Sequence, residues 1–113
     1  GLPVAQHEVI PSSELQERIA SGEELLVLDV RTDREWDDGH IPAAHHVVLQ
    51  NVTANIDDLK NKGPVVTVCG GGYRSAIAAS LLEQAGVEVL DQLGGMAAWN
   101  RAGCSTTNWD HKK

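Results

Sequence analysis

The stretch Val66-Thr67-Val68-Cys69-Gly70-Gly71-Gly72-Tyr73-Arg74-Ser75-Ala76 decides how this chain folds. It opens on an apolar, β-branched run, the composition of a strand buried on both faces. It then crosses three consecutive glycines and enters a helical stretch, Ser75 to Ala85, in which Ile77, Leu81 and Leu82 form an apolar stripe before Gly86 closes the helix. A buried strand that turns directly into a helix belongs to a parallel sheet, because parallel neighbours need a crossover between them.

Working outward, the same alternation recurs. Leu25 to Val30 and Val87 to Leu90 are further buried apolar runs, Glu8 to Ile10 is a short strand, and Val47 to Leu49 is expected as another. Helices are expected from Pro11 to about Ala20, from Glu35 to Asp38, from Ile56 to Lys60 and from Met96 to Ala102. In the first of these, Ser13 and Gln16 have capping-box spacing, and Leu15 and Ile19 share one face. The fold class is therefore α/β: a central, mainly parallel sheet with helices on both faces. Residues 8–104 make the domain, 105–113 a polar and frayed tail, and 1–7 a leader.

The chain has 113 residues, enough for one core and too few for two. Nine Lys and Arg against sixteen Asp and Glu leave a net charge of -7, which argues against nucleic acid or an anionic membrane as partner. Apolar runs such as Leu25 to Leu28 are far shorter than the roughly 20 residues of a membrane span. No basic segment precedes an apolar one, so no signal peptide is read. Two cysteines cannot make a disulfide scaffold, and a reducing, cytoplasmic compartment is expected.

The chemistry concentrates at the glycine turn. The strand delivers Cys69 to the carboxyl edge of the sheet, where ligands bind in open α/β folds. Glycines let backbone N–H groups turn inward around the sulfur, and the helix that follows adds its positive end. Both favour thiolate over thiol and mark Cys69 as a nucleophile. Arg74 is placed to hold the rim of the loop or an anionic group of a substrate. A nucleotide loop is a poor alternative, since no Lys follows in the required place and no G-x-G-x-x-G pattern is present. No metal or cofactor is expected: His45 and His46, adjacent on an extended segment, point to opposite faces. His40 reads as a local hydrogen-bonding residue, Trp36 and Trp99 as packing, and Tyr73 as part of the pocket mouth. Cys104 reads as an incidental surface thiol, with a resolving partner for Cys69 as the alternative.

Four pieces in order carry a family resemblance: Leu28-Asp29-Val30-Arg31 with Glu35-Trp36, Gly39-His40-Ile41-Pro42-Ala43-Ala44, Val68-Cys69 through Arg74-Ser75, and Leu93-Gly94-Gly95-Met96 with Ala98-Trp99. From about Glu8 to Gly103 the chain resembles a rhodanese domain, with Ala43 where Gly is more usual. The resemblance implies a sulfurtransferase of the thiosulfate sulfurtransferase class. Cys69 would take sulfane sulfur as a persulfide from thiosulfate, glutathione persulfide or a protein persulfide and pass it to a thiol or cyanide. Gly70, Gly71, Gly72, Tyr73, Arg74 and Ser75 would form the substrate cradle, and Asp29 and Arg31 would be structural charges beside it. A phosphatase or arsenate-reductase branch of the fold has five residues between Cys and Arg, whereas four lie between Cys69 and Arg74. The other alternative is a regulatory or sulfur-carrying module that serves a tethered partner domain. Gly1-Leu2-Pro3-Val4 resembles the tail of a preceding unit of this family, which leaves that reading open beside a plain leader. If the turn activates Cys69 as expected, iodoacetamide will alkylate Cys69 well before Cys104 near neutral pH, as peptide mass spectrometry reads directly.

Overall fold

The computed structural model describes residues 8–108. Its strands are β1 (Glu8–Ile10), β2 (Leu26–Asp29), β3 (His45–His46), β4 (Val65–Val68) and β5 (Val89–Gln92). Its helices are α1 (Ser12–Ala20), α2 (Asp33–Asp37), α3 (Ile56–Leu59), α4 (Tyr73–Gln84) and α5 (Gly95–Arg101). The five strands are ordered β1-β5-β4-β2-β3, and every pairing is parallel. From β2 the chain moves outward to β3, and from β4 it moves the other way to β5. The adjacent strands β2 and β4 therefore flank the point at which the winding reverses, and a crevice opens above their carboxyl ends.

Alternation along the two central strands builds both halves of the core. Leu26, Leu28 and Val65 face one side, where they pack with Leu59 of α3 and Ala78, Ala79 and Leu82 of α4. Val27, Val66 and Val68 face the other, against Leu15 of α1, Trp36 of α2, and Met96 and Trp99 of α5. Helices cover both faces, as expected. Among the described residues, no helix is long and apolar enough to cross a membrane.

Several local expectations are corrected. Helix α1 starts at Ser12 with Pro11 as its cap and has no side-chain capping bond. Gln16, the supposed partner of Ser13, instead accepts the Ser105 N–H at 2.9 Å. The capping box is in α2, between Thr32 and Glu35. Strand β3 is only His45–His46; beyond it Val47 and Leu49 still donate to Asp29 and Val30. Where β2 ends, the chain coils into a 3₁₀ turn over Leu49–Asn51. The fifth strand runs two residues further than expected, to Gln92, because it pairs with β1 in the register Glu8↔Leu90 and Ile10↔Gln92. The segment after Cys104 is docked at its start: Trp99 Nε1 donates to Ser105 O at 2.8 Å, and His40 and Thr107 exchange backbone bonds at 2.8 Å. The rest of the expected tail, residues 109–113, and the leader, 1–7, lie outside the described residues.

The apolar stripe of α4 is also not the one its large residues suggest. Its buried face is Ser75, Ala78, Ala79 and Leu82, spaced as one helical side, while Ile77 is 37% exposed. Small residues bring the helix axis close to the sheet, which a stripe of leucines would hold off. Leu82→Ala is expected to cost about 2–5 kcal/mol of unfolding free energy and Ile77→Ala under about 1 kcal/mol, measured by chemical denaturation.

Candidate active site

Cys69 follows β4 at the reversal point and is fully buried. Its sulfur accepts the Gly72 N–H at 2.9 Å and, as a thiol, donates to Ser75 Oγ at 3.4 Å. The Ser75 hydroxyl in turn donates to Gly72 O at 3.2 Å, so Ser75 ties the start of α4 to the glycine turn. At Gly72 φ is +106°, a conformation that closes the loop and that a side chain would strain. Helix α4 begins immediately afterwards at Tyr73, two residues earlier than its apolar pattern suggests. Of the nest expected from the three glycines, the Gly72 N–H is the contact made to sulfur. Tyr73, the first residue of α4, is 79% exposed.

The loop is gripped from behind by α5. The Met96 N–H donates to Cys69 O, and the Ala97 N–H donates to Gly70 O at 3.0 Å. These are first-turn donors that α5 cannot use internally. These bonds fix the first two peptide units of the loop, just ahead of the Gly72 N–H that meets the sulfur. Contact is so close that a Cβ on Gly95 (φ +62°) would fall 2.4 Å from Cys69 O and 2.5 Å from Gly70 O. Gly95 is therefore a site residue that motif matching registered only as a family marker.

Two arginines lie at the crevice, and each has its own carboxylate. Arg31 and Asp29 are both buried; Arg31 Nε and Nη2 reach the Asp29 oxygens at 3.0 and 2.8 Å, and Nη2 also donates to Gly39 O at 2.7 Å. The pair expected beside the loop is thus bonded internally and to the turn at Gly39. Arg74 is held by Glu35: Nη1 to Oε1 is 2.7 Å and Nη2 to Oε2 is 2.9 Å, a bidentate fork. Glu35 Oε1 also accepts the Thr32 N–H at 3.0 Å and the Thr32 hydroxyl at 3.1 Å. The Arg74 guanidinium, helped by Thr32, holds the Glu35 carboxyl down at about 2 against the cost of its partial desolvation. Because that value lies below the ordinary glutamate range, the pair's stabilisation is complete above about pH 4.5 and is lost as pH falls towards 2. Both side chains are about one-third exposed, so solvent screens much of that stabilisation. The Arg74 fork, expected to hold the loop rim or an anionic substrate group, is here bonded to Glu35. Glu35 was legible as a helix-turn residue and a family marker but not as this partner, since its 39-residue separation from Arg74 hides the contact.

The lesser residues fall into place. His40 is buried, bonds Trp36 O through Nδ1 at 2.9 Å, and stacks on the Trp36 ring, with centroids 3.4 Å apart. His46 bonds Arg31 O and stacks on Trp36 as well. Among the described residues no group of His, Cys, Asp and Glu could hold a metal ion. Both cysteines are free, and Cys104 is half-buried against the α1–α5 side of the core. Access thus favours Cys104, so the alkylation order expected from the sequence requires reactivity at Cys69 to outweigh burial.

The rhodanese-like domain family matches residues 12–102. The chain belongs to that family. A sulfurtransferase of Allochromatium vinosum is 35% identical over 95 residues, covering 83% of this chain and 89% of that protein. A rhodanese-related protein of Thermoplasma volcanium superposes with TM-score 0.82 at 27% identity, covering 91% of this chain and 100% of the other. A Rhodopseudomonas palustris protein of unknown function, described as a possible tyrosine phosphatase, superposes with TM-score 0.86 at 26% identity, covering 91% and 86%. In this rhodanese-like domain the α5 grip should be intolerant of change. Gly95→Ala adds about 1–3 kcal/mol of backbone strain before its clash with Cys69 O is counted. The variant is expected to melt earlier and to lose reactivity at Cys69 more than at Cys104, read by thermal denaturation and thiol labelling.

Proposed function

We propose that this rhodanese-like domain is a sulfurtransferase acting through a persulfide on Cys69. The observation that carries the reading is the enclosure of the Cys69 sulfur at the reversal point, with Gly72 N–H and the Ser75 hydroxyl as its polar contacts. The Cys69 thiolate attacks the outer sulfur of the donor, a new S–S bond forms, and the donor's own bond to that sulfur breaks. The leaving group is sulfite from thiosulfate, or a thiolate from a thiol persulfide. A thiol or cyanide acceptor then attacks the outer sulfur of Cys69-S-S⁻ and releases the Cys69 thiolate. The Gly72 N–H stabilises the sulfur anion, and the net reaction needs no added oxidant or reductant. Its expected setting is the reducing cytoplasm, where Cys69 and Cys104 stay free thiols.

The phosphatase reading is weaker on two counts. The loop has four residues between Cys69 and Arg74, a smaller cradle than the phosphatase branch uses. Glu35, the carboxylate brought to the loop, is ionised and committed to Arg74, so it holds no proton for a leaving oxygen. Incubation with thiosulfate or glutathione persulfide is expected to add one sulfur atom at Cys69 by mass spectrometry, and Cys69→Ser to abolish it, with negligible turnover of aryl phosphates. Sulfur loading that survives Cys69→Ser would overturn the assignment.

A further inference from the structure

Within the stretch Cys69 to Ser75 Arg74 is the only cation, and both arms of its fork are occupied by Glu35. Glu35 is fixed there independently, because Thr32 binds the same carboxylate through its N–H and hydroxyl. The neighbouring arginine at the crevice, Arg31, is likewise closed by Asp29 and Gly39. The pair lies along the loop itself: a Cβ on Gly70 would sit 3.1 Å from Arg74 Nη2 and 3.4 Å from Glu35 Oε2. The polar contacts of the Cys69 sulfur are thus the Gly72 N–H and the Ser75 oxygen, and the charge carried along the loop is a neutral ion pair. Thiosulfate sets both its negative charges beside the reacting sulfur, a repulsion against the thiolate that no uncommitted loop cation offsets, whereas a thiol persulfide brings at most one negative charge there and carries its other charges farther out.

We infer that Glu35 is a specificity-determining positioning residue: by occupying the Arg74 fork it withholds the loop's cation and sets a preference for thiol persulfides over compact dianions such as thiosulfate. This rests on the sulfur-transfer reading above, but its electrostatic core can be tested apart from turnover. Glu35→Gln removes the charge while leaving an amide oxygen for the Thr32 N–H, so the α2 cap is kept.

The unmodified protein is expected to load Cys69 faster from glutathione persulfide than from thiosulfate. In Glu35→Gln the thiosulfate to persulfide ratio of kcat/KM should rise roughly tenfold or more, mainly through a lower thiosulfate KM, with the gain shrinking as salt is raised. A Glu35→Gln/Arg74→Gln double variant should lose that gain, because the released cation is gone. Sulfate, an unreactive dianion, should perturb the Gly70 to Gly72 amide NMR signals of Glu35→Gln at roughly tenfold lower concentration than those of the unmodified protein. Equal sulfate responses, an unchanged donor ratio in Glu35→Gln, or faster loading of the unmodified protein from thiosulfate would overturn the role given to Glu35. Failure of Cys69 to load from either donor, with the sulfate difference intact, would instead overturn the sulfur-transfer reading and leave the charge withholding standing.

Discussion

Everything at the crevice depends on two backbone hydrogen bonds from the first turn of α5 to the carbonyls of Cys69 and Gly70. A peptide unit has two ends, so holding these two carbonyls also fixes the Gly70 and Gly71 N–H groups and the course of the loop towards the Gly72 N–H that meets the sulfur. The grip works only at a distance that excludes any side chain at Gly95. It also couples the last helix to the reacting atom. α5 is anchored through Met96 and Trp99 in the core below the sheet, so loop geometry inherits the rigidity of that core.

Charge at the site is organised by closure. Asp29 and Arg31 form a buried pair that ties β2 to the turn at Gly39, and Glu35 and Arg74 form a half-exposed pair that ties α2 to the loop. Closing both pairs lets two arginines stand near the nucleophile without presenting net positive charge. The stability gained from the exposed pair is modest on general grounds. Its larger consequence is local potential, which acts on any charged molecule that approaches Cys69.

How legible this was depended on the length scale of each signal. The sheet, its helical cover and Cys69 were readable because a buried parallel strand and a glycine turn are local patterns in Leu26–Asp29, Val65–Val68 and residues 70–72. The buried face of α4 is not legible from its large residues, because small ones form it. Ala78 and Ala79 are the buried positions, and an alanine stripe carries little apolar signal. Capping chemistry was also misplaced: Ser13 and Gln16 have the spacing, but Pro11 sets the start of α1 and Gln16 is taken by Ser105. The link from Glu35 to Arg74 was out of reach, since it depends on which strand lies beside which. Only the insertion of β4 between β2 and β5 sets α2 against the loop.

That helix face is where fold and chemistry meet. Ser75 is both the first buried residue of the α4 stripe and the hydroxyl at 3.4 Å from the Cys69 sulfur. Its distance from sulfur is set by how deeply α4 seats against β4, and that depth is set by Ala78 and Ala79. Bulkier side chains there would lift α4 from the sheet before any site residue changed. They would carry Ser75 and the N-terminal turn away from Cys69 while α5 still held the other side of the loop. The nucleophile is thus positioned between two helices that approach through small residues, Ala78 and Ala79 on one side and Gly95 on the other. Small residues at these positions are what closely packed peptide groups require around a single sulfur atom.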